Sequence, residues 1–177
     1  MTEANLSQFP VILVTGAAGG IGSAVIRRFA TSGWRCASAD LAAPNESVEH
    51  HVATDLRNVA ACSAAVQSTV NTFGRLDVLV NAAGVWHEGN TADTREDDFD
   101  RVIDVNLKGT YFMSAAAIPH LETTRGCIIN LSSDAGIQGN SGAAAYCASK
   151  GGVSRFTKAL ALELAPRGVQ VQGLALW

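Results

Sequence analysis

The chain has 177 residues, 47% hydrophobic and 16% charged, a composition that excludes a disordered chain. Its formal net charge is −3, and without a block of Lys or Arg it gives no reason to expect a nucleic acid or a membrane surface as partner. The length predicts one domain, residues 1–177, and no apolar run reaches the ~18 residues of a membrane span.

The first ten residues have neither a basic start nor an apolar run, so no secretory signal is predicted. The cysteines form no Cys-x-x-Cys pair, which favours reduced thiols over disulfides. We therefore expect a cytoplasmic protein.

Short apolar runs alternate along the chain with longer amphipathic stretches, as strands alternate with helices in α/β proteins. The predicted strands are residues 11–14, 35–39, 77–80, 127–131 and 169–174. The predicted helices are residues 21–32, 58–73, 96–118 (stopped by Pro119) and 145–164. Residues 45–52 are polar and predicted as a turn. This alternation predicts a doubly wound α/β fold, a parallel sheet with helices on both faces, known as a Rossmann fold.

The first predicted strand runs directly into the glycine-rich sequence TGAAGGIG at residues 15–22. Glycines let a backbone approach a pyrophosphate closely, and the following helix N-terminus supplies free N–H groups. A glycine cluster alone also fits a plain tight turn. Its position between a strand and a helix favours dinucleotide binding.

Asp40 ends the second predicted strand, 20 residues after Gly20. A carboxylate there accepts hydrogen bonds from the adenosine ribose hydroxyls and repels a 2′-phosphate. No Lys or Arg lies in the glycine-rich turn or directly after Asp40, so we expect NAD rather than NADP. Taken alone, Asp40 fits a turn cap equally well.

Polar groups with catalytic chemistry follow the later strands. Ser132 and Ser133 come after the strand at 127–131, while Tyr146 and Lys150 lie four residues apart on one helix face. A neighbouring ammonium favours the phenolate of a tyrosine, which suits it to general acid–base work. Individually each residue fits a cap or a solvated helix position, but together they indicate catalysis.

These motifs, in order, resemble the pattern of the short-chain dehydrogenase/reductase family: TGAAGGIG, NAAG at residues 81–84, Asn106, Ser133 and YCASK at residues 146–150. The resemblance extends over essentially the whole chain. It implies an oxidoreductase that moves a hydride between NAD and a small secondary alcohol or ketone. It also implies a homodimer or homotetramer, assembled through the Ala-rich helices at 96–118 and 145–164.

The resemblance implies a role for each matching residue. Tyr146 would exchange a proton with the substrate oxygen, Lys150 would lower the Tyr146 pKa and bind the nicotinamide ribose, and Ser133 rather than Ser132 would orient the substrate. Asn106 would hold a water that relays protons to Lys150. The other cofactor-binding positions would be Gly16, Gly20, Ile21, Gly22, Asp40, Asp55 beside the adenine amino group, Leu56 beside its ring, Asn81, Ala82, Ala83 and Gly84.

The sequence departs from the family pattern twice. The connection from Asp40 to Asp55 is too short for a full helix. After the Tyr–Lys helix the family continues through a Pro-Gly turn, a substrate lid and a last strand, whereas this sequence ends GLALW at residues 173–177. We therefore expect residues 169–174 to form an edge strand and the 177-residue chain to be marginally stable and weakly active. The alternative is a catalytically silent nucleotide-binding or dimerising fragment.

Candidates for the substrate pocket and for a metal are less specific. Trp86 and His87 follow the NAAG segment, but a surface loop with one packed aromatic is the favoured interpretation. Gln138 and Asn140, between Ser133 and Tyr146, are better placed to border a pocket. His50 and His51 have no acidic or Cys partner at a fitting spacing, so no metal site is predicted.

Overall fold

The computed structural model describes residues 9–176. Six strands form one sheet: β1 (Val11–Thr15), β2 (Arg35–Asp40), β3 (His50–Ala53), β4 (Val78–Asn81), β5 (Cys127–Ser133) and β6 (Gln170–Leu176). Their order is β3-β2-β1-β4-β5-β6, and every neighbouring pair is parallel. After β1 the chain adds β2 and β3 on one side of the sheet, and after β4 it adds β5 and β6 on the other side. The switch point therefore lies between β1 and β4, where doubly wound sheets bind ligands.

The helices connect these strands. They are α1 (Gly20–Ala30), α2 (Val59–Phe73), α3 (Glu96–Ile103), α4 (Thr110–Thr124), α5 (Ala135–Gln138) and α6 (Ala144–Leu164). A π-helical turn over Asp104–Gly109 joins α3 to α4. The doubly wound α/β fold expected from the sequence is confirmed. No helix within residues 9–176 combines the length and the apolar character needed to cross a membrane.

Both faces of the sheet are covered at its centre, as alternate side chains of β1 show, whereas the edge strand β6 is mostly exposed. Val11 and Leu13 lie in a buried cluster with α2, α4 and α6, while Ile12 and Val14 pack on the other face against α1. A strand buried on both sides is continuously apolar rather than alternating, which is why the run at residues 11–14 was recognisable as a strand.

The predicted single helix over residues 96–118 is wrong in two respects. The π-helical turn interrupts it, and such a turn leaves no mark in apolar spacing because it shifts the register by only one residue. Pro119 does not stop the helix, since α4 continues to Thr124. Met113, Ala117 and Leu121 of α4 are fully buried, and this packing offsets the ~3 kcal/mol that an interior proline costs.

The predicted turn over residues 45–52 is also wrong at its end, because β3 begins at His50. This strand is short and lies at the sheet edge, so it carries no apolar run for the sequence pattern to detect. Its two histidines bind neighbouring hydroxyls, with His50 Nε2 2.9 Å from Ser68 Oγ and His51 Nδ1 2.9 Å from Ser38 Oγ.

The remaining connections agree with the sequence in outline. No helix separates β2 from β3 within the described part of the chain, as the short connection predicted. β6 is the edge strand, also as predicted, and extends to Leu176. Trp177, named above with the end of the chain, lies outside the described residues, as do residues 1–8. The four-residue helix α5 was not predicted.

Candidate active site

The glycine-rich turn between β1 and α1 contains glycines of two kinds. Gly16 has φ +66°, and a Cβ there would lie 2.5 Å from Ala83 Cα, while a Cβ on Gly22 would lie 2.3 Å from the Gly16 carbonyl oxygen. These two glycines are required by the close packing of the turn itself. A Cβ on Gly20, in contrast, would meet no atom within 4 Å. The space beside the Gly20 Cα is therefore open.

The N-terminus of α1 faces this turn without a side-chain cap. Gly19 occupies the N-cap position and makes no side-chain hydrogen bond to the first turn. Uncapped amides and the helix dipole favour an anion at this end of the helix. The turn therefore fits the pyrophosphate of a dinucleotide.

A cleft of about 220 Å³ runs beside the turn at the carboxyl ends of the central strands. Its walls come from five chain segments: Gly16, Gly19, Asp40, Leu41, Thr54, Leu56, Ala82, Ala83, Gly84, Val85 and Val105. A carboxylate, backbone amides and apolar side chains are the groups that an adenosine half requires. These residues fit a dinucleotide cofactor.

Asp40 is held at this cleft by the backbone. Its Oδ2 accepts a hydrogen bond from the Ala18 amide at 3.0 Å, and its Oδ1 accepts one from the Ala42 amide at 3.4 Å. Leu41 beside it is 73% exposed, and none of the described residues lining the cleft is Lys or Arg. The cleft therefore presents a carboxylate and an apolar side chain, without a cation, near its Asp40 end.

Of the neighbouring pair Asp55 and Leu56, only Leu56 lines the cleft. The Asp55 carboxylate forms an ion pair with Arg57 at 2.7 Å, and hydrogen bonds from Arg57 lower the Asp55 pKa. Asp55 thus has a partner within the chain. The structure places its carboxylate with Arg57 rather than among the lining residues.

The NAAG segment joins the cleft to the sheet. Asn81 is buried, and its Nδ2 donates to Ser114 Oγ at 3.0 Å and to Asn130 Oδ1 at 2.9 Å. The Thr15 hydroxyl accepts hydrogen bonds from the Ala82 and Ala83 amides, both at 3.2 Å. Asn81 thereby connects β4 with β5 and α4, while Ala82 to Gly84 form a wall of the cleft.

A second cavity, of about 460 Å³, adjoins the first and shares Ala82, Gly84 and Val85 with it. It brings together residues from three separate segments of the chain: Ile21 of α1, Ser133 of β5, and Tyr146 and Lys150 of α6. Three of the four predicted catalytic residues, Ser133, Tyr146 and Lys150, therefore line a cavity at one end of the first cleft, whereas Asn106 does not line it.

Lys150 is almost completely buried in this cavity wall, with 5% of its surface exposed. Its Nζ donates to the Leu131 carbonyl at 2.8 Å and lies 5.8 Å from the centre of the Tyr146 ring. Burial lowers the pKa of Lys150 to about 8. The amine can therefore exchange protons near neutral pH.

Ser132 and Ser133 have different partners. Ser132 Oγ donates to the Lys150 carbonyl at 2.9 Å and lies 2.7 Å from Ser154 Oγ, so it ties β5 to α6. Ser133 Oγ donates to Asp134 Oδ1 at 3.0 Å and accepts from the Ala135 amide at 3.2 Å. Of these two hydroxyl groups, only that of Ser132 makes a hydrogen bond to α6.

Asn106 lies in the π-helical turn and is fully buried. Its Nδ2 donates to the Val85 carbonyl and to Ser149 Oγ, both at 3.0 Å, and its Oδ1 accepts from the Val85 amide at 2.7 Å. A Cβ on Gly84 would lie 3.4 Å from Lys150 Nζ and 3.5 Å from Asn106 Oδ1. Asn106 therefore joins the loop after β4 to α6 beside Lys150.

The cavity rim differs in part from what the sequence predicts. The sequence favours a packed surface aromatic at Trp86, but Trp86 borders the cavity with its ring centre 4.4 Å from that of Tyr146. Asn140 borders the cavity as expected, whereas Gln138 and His87 are not among its lining residues. Asp134 was missed altogether, although its position directly after Ser133 at the end of β5 was a usable signal.

No group of three or more His, Cys, Asp or Glu within residues 9–176 is arranged to hold a metal ion.

Comparison with known proteins decides the family. The family model described as short chain dehydrogenase matches residues 10–176. The chain belongs to the short-chain dehydrogenase family. Membership of this family implies a pyridine nucleotide as the cofactor. Its named relatives are dehydrogenases and reductases, so the chain is an oxidoreductase.

Named short-chain dehydrogenases resemble the chain over most of its length. Meso-2,3-butanediol dehydrogenase of Serratia marcescens is 37% identical over 93% of this chain and 69% of its own. A 3-oxoacyl-[acyl-carrier-protein] reductase of Thermotoga maritima is 38% identical over 93% of this chain and 72% of its own.

Two solved structures resemble it in fold. The ligand-free aldohexose dehydrogenase of Thermoplasma acidophilum has a TM-score of 0.90 at 32% identity, over 97% of this chain and 67% of its own. The 3-ketoacyl-(acyl-carrier-protein) reductase of Brucella melitensis, solved with NADH, has a TM-score of 0.88 at 33% identity, over 94% of this chain and 75% of its own.

Proposed function

We propose that this chain is an NAD-dependent oxidoreductase that transfers a hydride between the nicotinamide and a small secondary alcohol or ketone. One observation carries the proposal: Ser133, Tyr146 and Lys150 line a single cavity that joins the dinucleotide cleft at Ala82, Gly84 and Val85. A substrate in this cavity has acid–base groups beside it and the end of the cofactor cleft within reach.

Each side chain has a distinct part in the proposed reaction. When bound, a nicotinamide would supply the hydride acceptor for oxidation of the alcohol and the hydride donor for reduction of the ketone. Tyr146 takes the hydroxyl proton of the alcohol, and in the reverse direction gives a proton to the carbonyl oxygen. Lys150 favours the phenolate through its charge, and its pKa of about 8 lets it pass the proton on near neutral pH. Ser133 holds the substrate oxygen, and Asn106 positions the backbone beside Lys150.

NAD is the proposed cofactor rather than NADP because of the groups at the adenosine end. The Asp40 carboxylate, held by two backbone amides, accepts hydrogen bonds from ribose hydroxyls and repels a 2′-phosphate. Leu41 offers such a phosphate no counter-charge. In the same proposal Leu56 contacts the adenine and Ile21 the nicotinamide, since each lines the corresponding cavity.

The test is a reduced-nicotinamide absorbance assay on purified protein with a panel of secondary alcohols and ketones. We expect turnover with NAD or NADH and at least about tenfold less with the phosphorylated cofactors. Nucleotide binding without turnover of any substrate would instead favour a catalytically silent nucleotide-binding chain.

A further inference from the structure

We propose that the substrate of this site is an uncharged polyhydroxylated molecule, a polyol or a sugar, selected by the Asp134 carboxylate and the Trp86 ring. The inference rests on the proposed function, because it concerns the same cavity. The two side chains contribute different chemistry to its rim.

Asp134 lies next to the residue proposed to hold the reacting oxygen. Its Oδ1 accepts from Ser133 Oγ at 3.0 Å and from the Ala135 amide at 2.7 Å. Within residues 9–176 its Oδ2 has no hydrogen-bond donor, and the carboxylate forms no ion pair. One oxygen of a charged acceptor is thus left for a ligand.

The spacing matches two adjacent hydroxyl groups. Vicinal oxygens of a diol are separated by about 3 Å, close to the distance between hydrogen-bonded oxygens. When the reacting oxygen contacts Ser133 and Tyr146, the neighbouring hydroxyl comes within reach of the Asp134 carboxylate. The Asn140 side chain also lines the cavity and offers both a donor and an acceptor to further hydroxyls.

Trp86 supplies an apolar wall for the carbon side of such a ligand. Its side chain is 46% exposed while packing against Tyr146, so a substantial part of the ring is open. The negative face of an aromatic ring attracts polarised C–H groups, which the carbon skeleton of a polyol presents. Trp86 is anchored through its backbone, because its carbonyl accepts a hydrogen bond from Arg101 at 3.2 Å.

The charges around the cavity favour an uncharged substrate. Among the described residues that line it, Asp134 is the only carboxylate and Lys150 the only amine. An anionic group beside Ser133 would meet the Asp134 carboxylate, and an ammonium group would share the cavity with Lys150. A neutral ligand rich in hydroxyl groups avoids both penalties and satisfies the free carboxylate oxygen.

The test is a ligand-observed NMR titration of the NADH-loaded protein with erythritol, an aldohexose, butan-2-ol, 3-hydroxybutyrate and 3-aminobutan-2-ol. We expect erythritol or the aldohexose to bind about tenfold or more tightly than butan-2-ol, and neither ion to bind better than butan-2-ol. Whether erythritol or the aldohexose binds more tightly distinguishes an open-chain polyol from a sugar as the substrate. Preference for butan-2-ol or for either ion would overturn the proposal.

Variants assign the preference to residues. Asp134→Asn removes the charge at nearly unchanged size and should reduce the preference for polyhydroxylated ligands over butan-2-ol at least about fivefold. Trp86→Leu should weaken binding of all hydroxylated ligands. Asp97→Asn on α3 and Trp34→Phe on the turn after α1 are the matched controls, since neither residue lines this cavity. An unaltered preference in Asp134→Asn would contradict the assignment. Failure of NADH itself to bind would instead contradict the proposed function.

Discussion

At the scale of single residues, the site depends on groups whose environment differs from that of an exposed side chain. Asp40 accepts hydrogen bonds from two backbone amides, Lys150 is buried, and the Ser133 hydroxyl donates a hydrogen bond to the Asp134 carboxylate. The sequence predicted the identities of these residues through motif spacing. It could not predict the hydrogen-bond partners that orient Asp40 and Ser133, or the burial that lowers the Lys150 pKa.

Replacing Asp40 tests the cofactor assignment. We expect the wild type to bind NADH at least about tenfold more tightly than NADPH, because the carboxylate repels a 2′-phosphate, and Asp40→Ala to lose most of this difference. Fluorescence titration with both reduced cofactors measures it, with Asp97→Ala as the control. Equal affinities in the wild type would rule out the assignment.

The buried Lys150 predicts a specific dependence of stability on pH. Its folded-state pKa of about 8 lies below the ordinary value of 10.5, so the folded protein binds fewer protons than the unfolded chain between these values. Stability from this group is therefore fully present above pH 10.5 and is lost as the pH falls through about 8.

Urea unfolding of the wild type and of Lys150→Met isolates this contribution. The free energy of unfolding of the wild type should rise relative to the variant by up to about 1.4 kcal/mol per pH unit across that window. Other titrating groups cancel in the difference. A difference independent of pH would show that Lys150 is not perturbed.

At the scale of elements, the sequence predicted the strands and helices that bury a complete apolar face. It failed where local geometry carries no periodic signal: the π-helical turn holding Asn106, the edge strand β3 and the short helix α5. Each of these three depends on tertiary contacts. The position of the Trp86 ring at the cavity was not predictable for the same reason. The loop that carries Trp86 is held by a long-range hydrogen bond from Arg101 to the Trp86 carbonyl.

The two kinds of glycine in the first turn allow a matched pair of substitutions. Gly20→Ala adds a methyl group to open space, so we expect nearly unchanged stability but at least about tenfold weaker NADH binding. Gly22→Ala places its Cβ against the backbone of Gly16 and should lower both the melting temperature and NADH affinity. Calorimetry and fluorescence titration of both variants provide the check. Unimpaired NADH binding by Gly20→Ala would mean that this space is not used by the cofactor.

At the scale of the whole molecule, an aromatic patch that contains one exposed ring and two half-buried rings lies across α4 and α6. Tyr111 is 48% exposed, and its ring centre lies 4.9 Å from that of Phe156 and 5.1 Å from that of Phe112. Exposed apolar patches favour association. The homodimer or homotetramer expected from the sequence stays a prediction, and this patch supports it.

Light scattering at micromolar concentration tests the assembly. We expect a dimer or tetramer for the wild type and a shift to monomer for Tyr111→Lys, because a buried ammonium without a partner is costly. Val59→Lys, an exposed apolar position on α2, should leave the mass unchanged. A monomeric wild type would exclude the proposed assembly.

We propose hydride transfer in one cavity of this chain, with Tyr146 as the acid–base group, and a single comparison tests it most directly. NAD-dependent oxidation of the best substrate should fall roughly 10²–10⁴-fold in Tyr146→Phe, because the hydroxyl proton then has no acceptor. NADH affinity of the same variant should stay within about twofold of the wild type, since the phenol oxygen contributes little to binding the dinucleotide. Near-wild-type turnover in Tyr146→Phe would contradict the account.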